Sequence, residues 1–152
     1  MKFRSIVWIA AATFPVAFTS CIGRDIPPGQ VPSVVVNTLH KAYPAAANVE
    51  WEKQKATYTA EFDVGATEYT VLLNSAGQLV QSKRDIGETE LPAAVKNYLS
   101  GKYRNDRVDD AELLEKNGRL YYQVELHGNA QDTKLVLDAT GNEQKEITYW
   151  ED

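Results

Sequence analysis

The amino-acid sequence predicts an α+β fold: a tandem duplication of one helix followed by four antiparallel strands, with both helices on one face of the sheet. Three observations predict it. Tyr58-Thr59-Ala60-Glu61-Phe62-Asp63-Val64 alternates apolar and polar residues, the period of a strand with one face on a core and one in water. The pattern recurs 64 positions later as Tyr122-Gln123-Val124-Glu125-Leu126-His127, and Val71-Leu72-Leu73-Asn74-Ser75-Ala76-Gly77 returns as Leu135-Val136-Leu137-Asp138-Ala139-Thr140-Gly141 at the same spacing. Ahead of each strand set runs a proline-led helical stripe. Pro32, Leu39 and Tyr43 of the first match Pro92, Leu99 and Tyr103 of the second, 60 positions on.

The first twenty residues stand apart from this pattern. Lys2 and Arg4 precede an apolar run, Ile6 to Phe18, broken by Pro15 and too short to span a bilayer as a helix. Residues 1–20 therefore read as a secretory signal. Cys21 is the single cysteine, so no internal disulfide is available. Phe18-Thr19-Ser20-Cys21 resembles the lipobox of bacterial lipoproteins, with Phe18 where Leu is usual. That resemblance implies cleavage before Cys21 and acylation of its thiol, the alternative being a plain secreted protein with an odd cysteine. Ile22 in place of Asp implies sorting to the outer membrane, with the domain facing the periplasm. Residues 21–30, holding Pro27, Pro28 and Gly29, read as an extended tether. From Val31 onward about 120 residues remain, enough for one domain that buries about two-thirds of its surface.

Within that domain the spacing predicts two repeats, 31–83 and 91–145. In the first helix Val35, Leu39, Ala42 and Tyr43 form one stripe. Pro32 sits in the first turn, where a missing N–H costs little, and Pro44 ends the helix. Thr89 is placed to cap the second helix. A weaker strand follows each helix, at Val49-Glu50-Trp51-Glu52 and within Val108–Glu115. Asn117-Gly118 then marks a tight hairpin. The alternating strand, a glycine turn and the apolar strand come next. Fourth strands are expected at Gln78–Lys83 and Asn142–Trp150, and Arg84–Glu90 reads as a linker. The shift in spacing from 60 to 64 places about four extra residues between the second helix and its alternating strand. Tyr58, Ala60, Phe62, Tyr69, Val71 and Leu73 define the core face of one half. Tyr122, Val124, Leu126, Leu135 and Leu137 define that of the other.

A Leu/Val-Pro helix ending in Tyr, an alternating strand, and an apolar strand running into Asn/Asp-x-x-Gly, twice over behind a lipoprotein signal, resembles the PepSY-like periplasmic proteins. Their fold is similar to that of the beta-lactamase inhibitor protein. The resemblance spans Val31 to about Tyr149 and rests on turns and core positions. It implies a curved eight-stranded surface with helices behind it, and relatives that inhibit or modulate other exported proteins. It carries over no catalytic residue.

Charge and chemistry narrow the function further. The chain carries −5, and −7 once Lys2 and Arg4 are removed, which argues against a nucleic-acid partner. Asp106, Asp109, Asp110 and Glu112 form an acidic run without the glycine an EF-hand loop requires at its sixth position, and read as a solvated loop. His40 and His127 stand far apart with no zinc spacing. Ser33, Ser75, Ser82 and Ser100 lie outside any nucleophile elbow. No cofactor, metal or catalysis is expected. Alternation turns Thr57, Thr59, Glu61, Asp63, Thr70 and Leu72 away from the core in one half. It does the same for Tyr121, Gln123, Glu125, His127, Lys134 and Val136 in the other. The expected function is a lipid-anchored periplasmic module that binds another exported protein or peptide through this open face. Its contact residues are Tyr121, Gln123, Glu125 and His127 with Thr59 and Glu61. The alternative is a structural envelope lipoprotein, or one holding a small ligand or Ca²⁺.

Overall fold

The structure, a computed structural model, describes residues 24–129 and 131–151. Apart from two short 3-10 turns at Pro28–Gln30 and Glu88–Glu90, the described residues form two helices and eight strands. They are β1 (Arg24–Asp25), α1 (Ser33–Ala42), β2 (Ala47–Gln54), β3 (Thr57–Val64), β4 (Thr67–Asn74), β5 (Leu79–Asp85), α2 (Ala93–Lys102), β6 (Arg107–Lys116), β7 (Arg119–His127) and β8 (Thr133–Leu137). The strands form one antiparallel sheet in the order β1 through β8, each beside its sequence neighbour. The α+β class, the duplication and the number of strands are as expected, though the identity of one strand is not. The signal segment and Cys21 lie outside the described residues.

Each helix covers its own half of one sheet face. Val35 and Leu39 of α1 bury against Trp51, Tyr58, Ala60, Phe62, Val71 and Leu73. Val95 and Leu99 of α2 bury against Ala111, Val124, Leu126, Leu135 and Leu137. Proline opens both helices, and a tyrosine closes both. The Tyr43 N–H donates to the Leu39 carbonyl at 2.8 Å, and the Tyr103 N–H to the Leu99 carbonyl at 2.7 Å. Tyr43 then packs on Phe62 and Tyr69, with ring centroids 4.9 and 5.6 Å away. Tilted ring pairs of this kind add to simple area burial.

The duplication extends to single hydrogen bonds. After β4 the Asn74 Oδ1 accepts from the N–H groups of Ala76 and Gln78. After β8 the Asp138 Oδ1 accepts from those of Thr140 and Asn142. Both turns end in a glycine at positive φ, Gly77 at 77° and Gly141 at 83°, a region costly for residues with a Cβ. Both glycines also press on a helix start. A Cβ on Gly77 would lie 2.9 Å from the Val34 carbonyl oxygen, and one on Gly141 2.7 Å from that of Ala94.

Three expectations are corrected. First, residues 24–26, expected in the tether, belong to the fold: Arg24-Asp25 pairs with Lys53 and Glu52 as the edge strand, and Ile26 is buried. Arg24-Asp25-Ile26 is itself a repeat of Arg84-Asp85-Ile86. The Ile26 N–H donates to the Trp51 carbonyl and the Ile86 N–H to that of Ala111, both at 2.9 Å. The supposed linker is thus the second copy of a sheet edge. Second, the four extra residues form no loop. The β2–β3 hairpin closes at Gln54 opposite Thr57, whereas β6–β7 runs past the matching pair, Leu114 and Tyr121, to Lys116 opposite Arg119. The extra residues add two cross-strand pairs, closed by Asn117 and Gly118 at φ 54° and 70°, as a tight primed turn demands. Third, residues 142–150 make only one bridge to the sheet, Glu143 opposite Leu137. The eighth strand is β1, at the other edge.

Candidate protein-contact face

Residues that alternate away from the helices meet in cross-strand rows. In the first half Glu52 lies opposite Thr59, and Glu50 opposite Glu61. The rows continue from Thr59 to Leu72 and from Glu61 to Thr70. In the second half Glu112 lies opposite Gln123 and Asp110 opposite Glu125, and β8 adds Val136 and Lys134. Hence Glu52–Thr59 and Glu112–Gln123 are equivalent places in the two repeats.

The second half of this face is covered. Instead of a fourth strand, the chain after Glu143 lays Ile147, Tyr149 and Trp150 on Leu114, Tyr121 and Val136. Gln123 holds the segment at its main chain. The Trp150 N–H donates to Gln123 Oε1 at 2.7 Å, and Gln123 Nε2 donates back to the Trp150 carbonyl at 3.1 Å. The same Nε2 donates to Glu112 Oε2 at 2.5 Å. Lys83 Nζ lies 2.6 Å from Glu112 Oε1 and donates to the Trp150 carbonyl at 3.2 Å. Its ammonium stands 5.6 Å from the centre of the Trp150 ring. Lys83 and Glu112 are 3% and 2% exposed, so this is a buried ion pair whose desolvation is offset only because its members are hydrogen-bonded as well. At the start of the segment Tyr98 Oη donates to Glu143 Oε2 at 2.9 Å. That bond, with Lys102 beside it, holds the Glu143 carboxyl below the usual range. At the far end Lys134 pairs with Glu151 and Glu125, Glu151 first among the causes that raise the lysine.

Of the expected contact residues, Thr59, Glu61 and Glu125 are half-buried on this face, and His127 is exposed beside Asp132 at 2.8 Å. Tyr121 and Gln123 differ from expectation: they are 9% and 0% exposed. Their side is as the period of two requires, but a segment read as a strand lies over them. Lys83 and Trp150 are not among the expected site residues, and Glu112 enters the expectation only through the acidic run. A signal for them was present: the matching row of the first half is polar, Gln54 and Thr57, where the second has Leu114 and Tyr121. Apolar residues on a supposedly wet face call for a cover.

The first half keeps its face. Glu50 and Glu52 are exposed, and a cleft of about 430 Å³ opens beside them, walled by Asp25, Ile26, Pro28, Thr59 and Glu61. The acidic run does not gather into a site: Asp109 pairs with Arg107 at 3.2 Å, and Glu112 belongs to the buried pair. Among the described residues no three His, Cys, Asp or Glu side chains are grouped to hold a metal. No helix of the described residues is long and apolar enough to cross a membrane.

Two helix-backed halves sharing one antiparallel sheet define the fold class as that of the beta-lactamase inhibitor protein. The family is also plain. The chain belongs to the PepSY-like family, whose model, described as "Putative beta-lactamase-inhibitor-like, PepSY-like", matches residues 17–81 and 74–145. Solved structures agree on the fold. A protein from Bacteroides eggerthii described among "putative periplasmic proteins" is 23% identical, with a TM-score of 0.72 over 77% of this chain and 88% of its own. A DUF2874 family protein from Bacteroides uniformis is 25% identical, with a TM-score of 0.68 over 74% and 85%. A BLIP-like protein from Bacteroides fragilis is 21% identical, with a TM-score of 0.67 over 82% and 94%. No curated protein matches the chain.

Proposed function

We propose that the chain is a periplasm-facing module, lipid-anchored at the outer membrane through Cys21, that contacts or inhibits another exported protein through the sheet face opposite the helices. It works by binding, without catalysis or cofactor. The observation that carries this reading is the contrast within the face. Its second half seats the C-terminal segment through hydrogen bonds between Gln123 and the Trp150 main chain, while the equivalent rows of the first half, at Glu50, Glu52, Thr59 and Glu61, border a cleft. A surface that accommodates a chain segment in one repeat is chemically suited to accept one in the other. The inhibitor-like description of the family supports the same reading. Thr59, Glu61, Glu125 and His127 are the direct contacts we assign. Tyr121 and Gln123 serve through the segment they hold in place.

The test is capture from envelope extract with the mature chain as bait. A protein retained by the wild type should be lost with Thr59→Arg plus Glu61→Arg and kept with Lys41→Glu, an exposed change on α1. The opposite pattern overturns the assignment of the face. For the anchor, Cys21→Ser should abolish labelling by a lipid precursor and leave the signal uncleaved at that site. Normal processing of that variant defeats it.

A further inference from the structure

The duplicated sheet offers the same place twice, and the described residues fill only one of them. At Glu112–Gln123 the occupants are the Lys83 ammonium and the main chain and ring of Trp150. At Glu52–Thr59 the described residues supply neither. The residue 60 positions before Lys83 is Gly23, outside the described residues. The residues 64 positions before Glu143–Trp150 run through β5 to Ile86, so they stay in the sheet and do not fold back. What stands at Glu52–Thr59 is the cleft of about 430 Å³, whose wall carries the carboxylates of Asp25, Glu50 and Glu52 and, among the described residues, no lysine or arginine.

We propose that this cleft binds a basic side chain of the partner with an aromatic ring beside it, the pair that Lys83 of β5 and Trp150 of the C-terminal segment together present to Glu112 and Gln123. The inference deepens the open-face reading and rests on it. Charge selects the occupant. Several carboxylates around one concave site attract a cation and repel an acidic segment. A second copy's Trp150-Glu151-Asp152 is therefore disfavoured, although its ring would suit the pocket. The exposed Pro27 and Pro28 give the aromatic neighbour an apolar wall.

The probe is the peptide acetyl-Thr-Lys-Trp-Thr-amide, titrated into the ¹⁵N-labelled mature chain and followed by amide shifts. A second peptide replaces its lysine with glutamine. Saturable shifts should centre on Asp25, Glu52 and Thr59. The glutamine peptide, and the Glu52→Gln variant with the lysine peptide, should each bind at least about tenfold more weakly. Added salt should weaken the lysine peptide and leave the glutamine peptide nearly unchanged. Glu52 is exposed, and unshifted amides in β6–β8 check that the variant folds. Equal binding of both peptides at the cleft overturns the basic-pocket inference and leaves the open-face reading standing. Shifts confined to β6–β8 and the segment over them, or no saturable shift at all, also overturn it. Shifts confined to the helices overturn both.

Discussion

Removing the cation of the buried pair is the sharpest test of how the C-terminal segment is held. Lys83→Met keeps most of the side-chain volume and deletes the ammonium 2.6 Å from Glu112. Glu112 then remains as a carboxylate with 2% exposure and no cation against it. Breaking one member of such a pair costs about 3–5 kcal/mol, a large share of the roughly 5–15 kcal/mol that holds a domain folded. Lys83→Met with Glu112→Gln removes both charges, keeps an amide for Gln123, and should recover much of the loss. The coupling energy should reach about 2–3 kcal/mol. Urea unfolding followed by tryptophan fluorescence measures all of this, with Trp150 reporting on the segment. A single-variant cost under about 1 kcal/mol, with an additive double variant, would refute the idea that a buried pair pins the segment.

Three further outcomes are expected. Asp138→Asn should keep its turn, because Asn74 builds the same turn in the first half. The Thr140 hydroxyl, with the backbone N–H groups beside it, lowers the Asp138 pKa, so that contribution is present above the unfolded value near 4 and lost as pH falls through the folded one. The variant's stability should accordingly depend less on pH below about 4, and an unchanged acid slope would count against it. Gly77→Ala should cost at least about 2 kcal/mol, since it adds a positive-φ penalty to a collision with the Val34 carbonyl, whereas Gly118→Ala, in open space at similar φ, should cost only about 1 kcal/mol. Equal costs would remove the turn-to-helix contact from the account. Phe62→Ala should cost about 3–5 kcal/mol by denaturation, and a change under about 0.5 kcal/mol would contradict its place beneath Tyr43.

Local rules made most of the fold legible. A period of two identifies the core face of β3, β4, β7 and β8 because a half-buried strand tolerates no other pattern. The proline-to-tyrosine helices and the Asn/Asp-x-x-Gly turns repeat because each meets a fixed steric demand. Three features escaped because they depend on what lies beside them in space. Arg24-Asp25 is too short to show a period, and only its recurrence at Arg84-Asp85 marks it as sheet. The extra residues of the second repeat lengthen a hairpin, which spacing alone does not distinguish from a longer loop. Residues 142–150 alternate well enough to pass for a strand, yet a polar network recruits them to the sheet's other face. Within the site, sidedness was legible and exposure was not. Tyr121 and Gln123 point where the alternation places them, but nothing local announces that Trp150 returns to cover them.

The duplication explains why the two halves differ in use while sharing a fold. A repeat of this kind needs an edge strand from the repeat before it: β5 ends the first unit and, through Arg84 and Asp85, begins the second. That shared strand puts Lys83 at the centre of the sheet, on the side away from the helices and against Glu112. The first unit has no predecessor among the described residues and takes its edge from β1, only two residues long. In the last unit the described chain leaves strand geometry after the Asp138 turn, with Glu143 alone bridging back to Leu137. The lysine and the released segment meet over the same row, and each stabilises the other: the segment excludes water from the ion pair, and the pair holds the segment's main chain. Among the described residues the first unit has neither, and the same row borders a cleft. Duplication thus yields one closed copy and one open copy of a single binding geometry, and the closed copy states in its own side chains the chemistry suited to the open one.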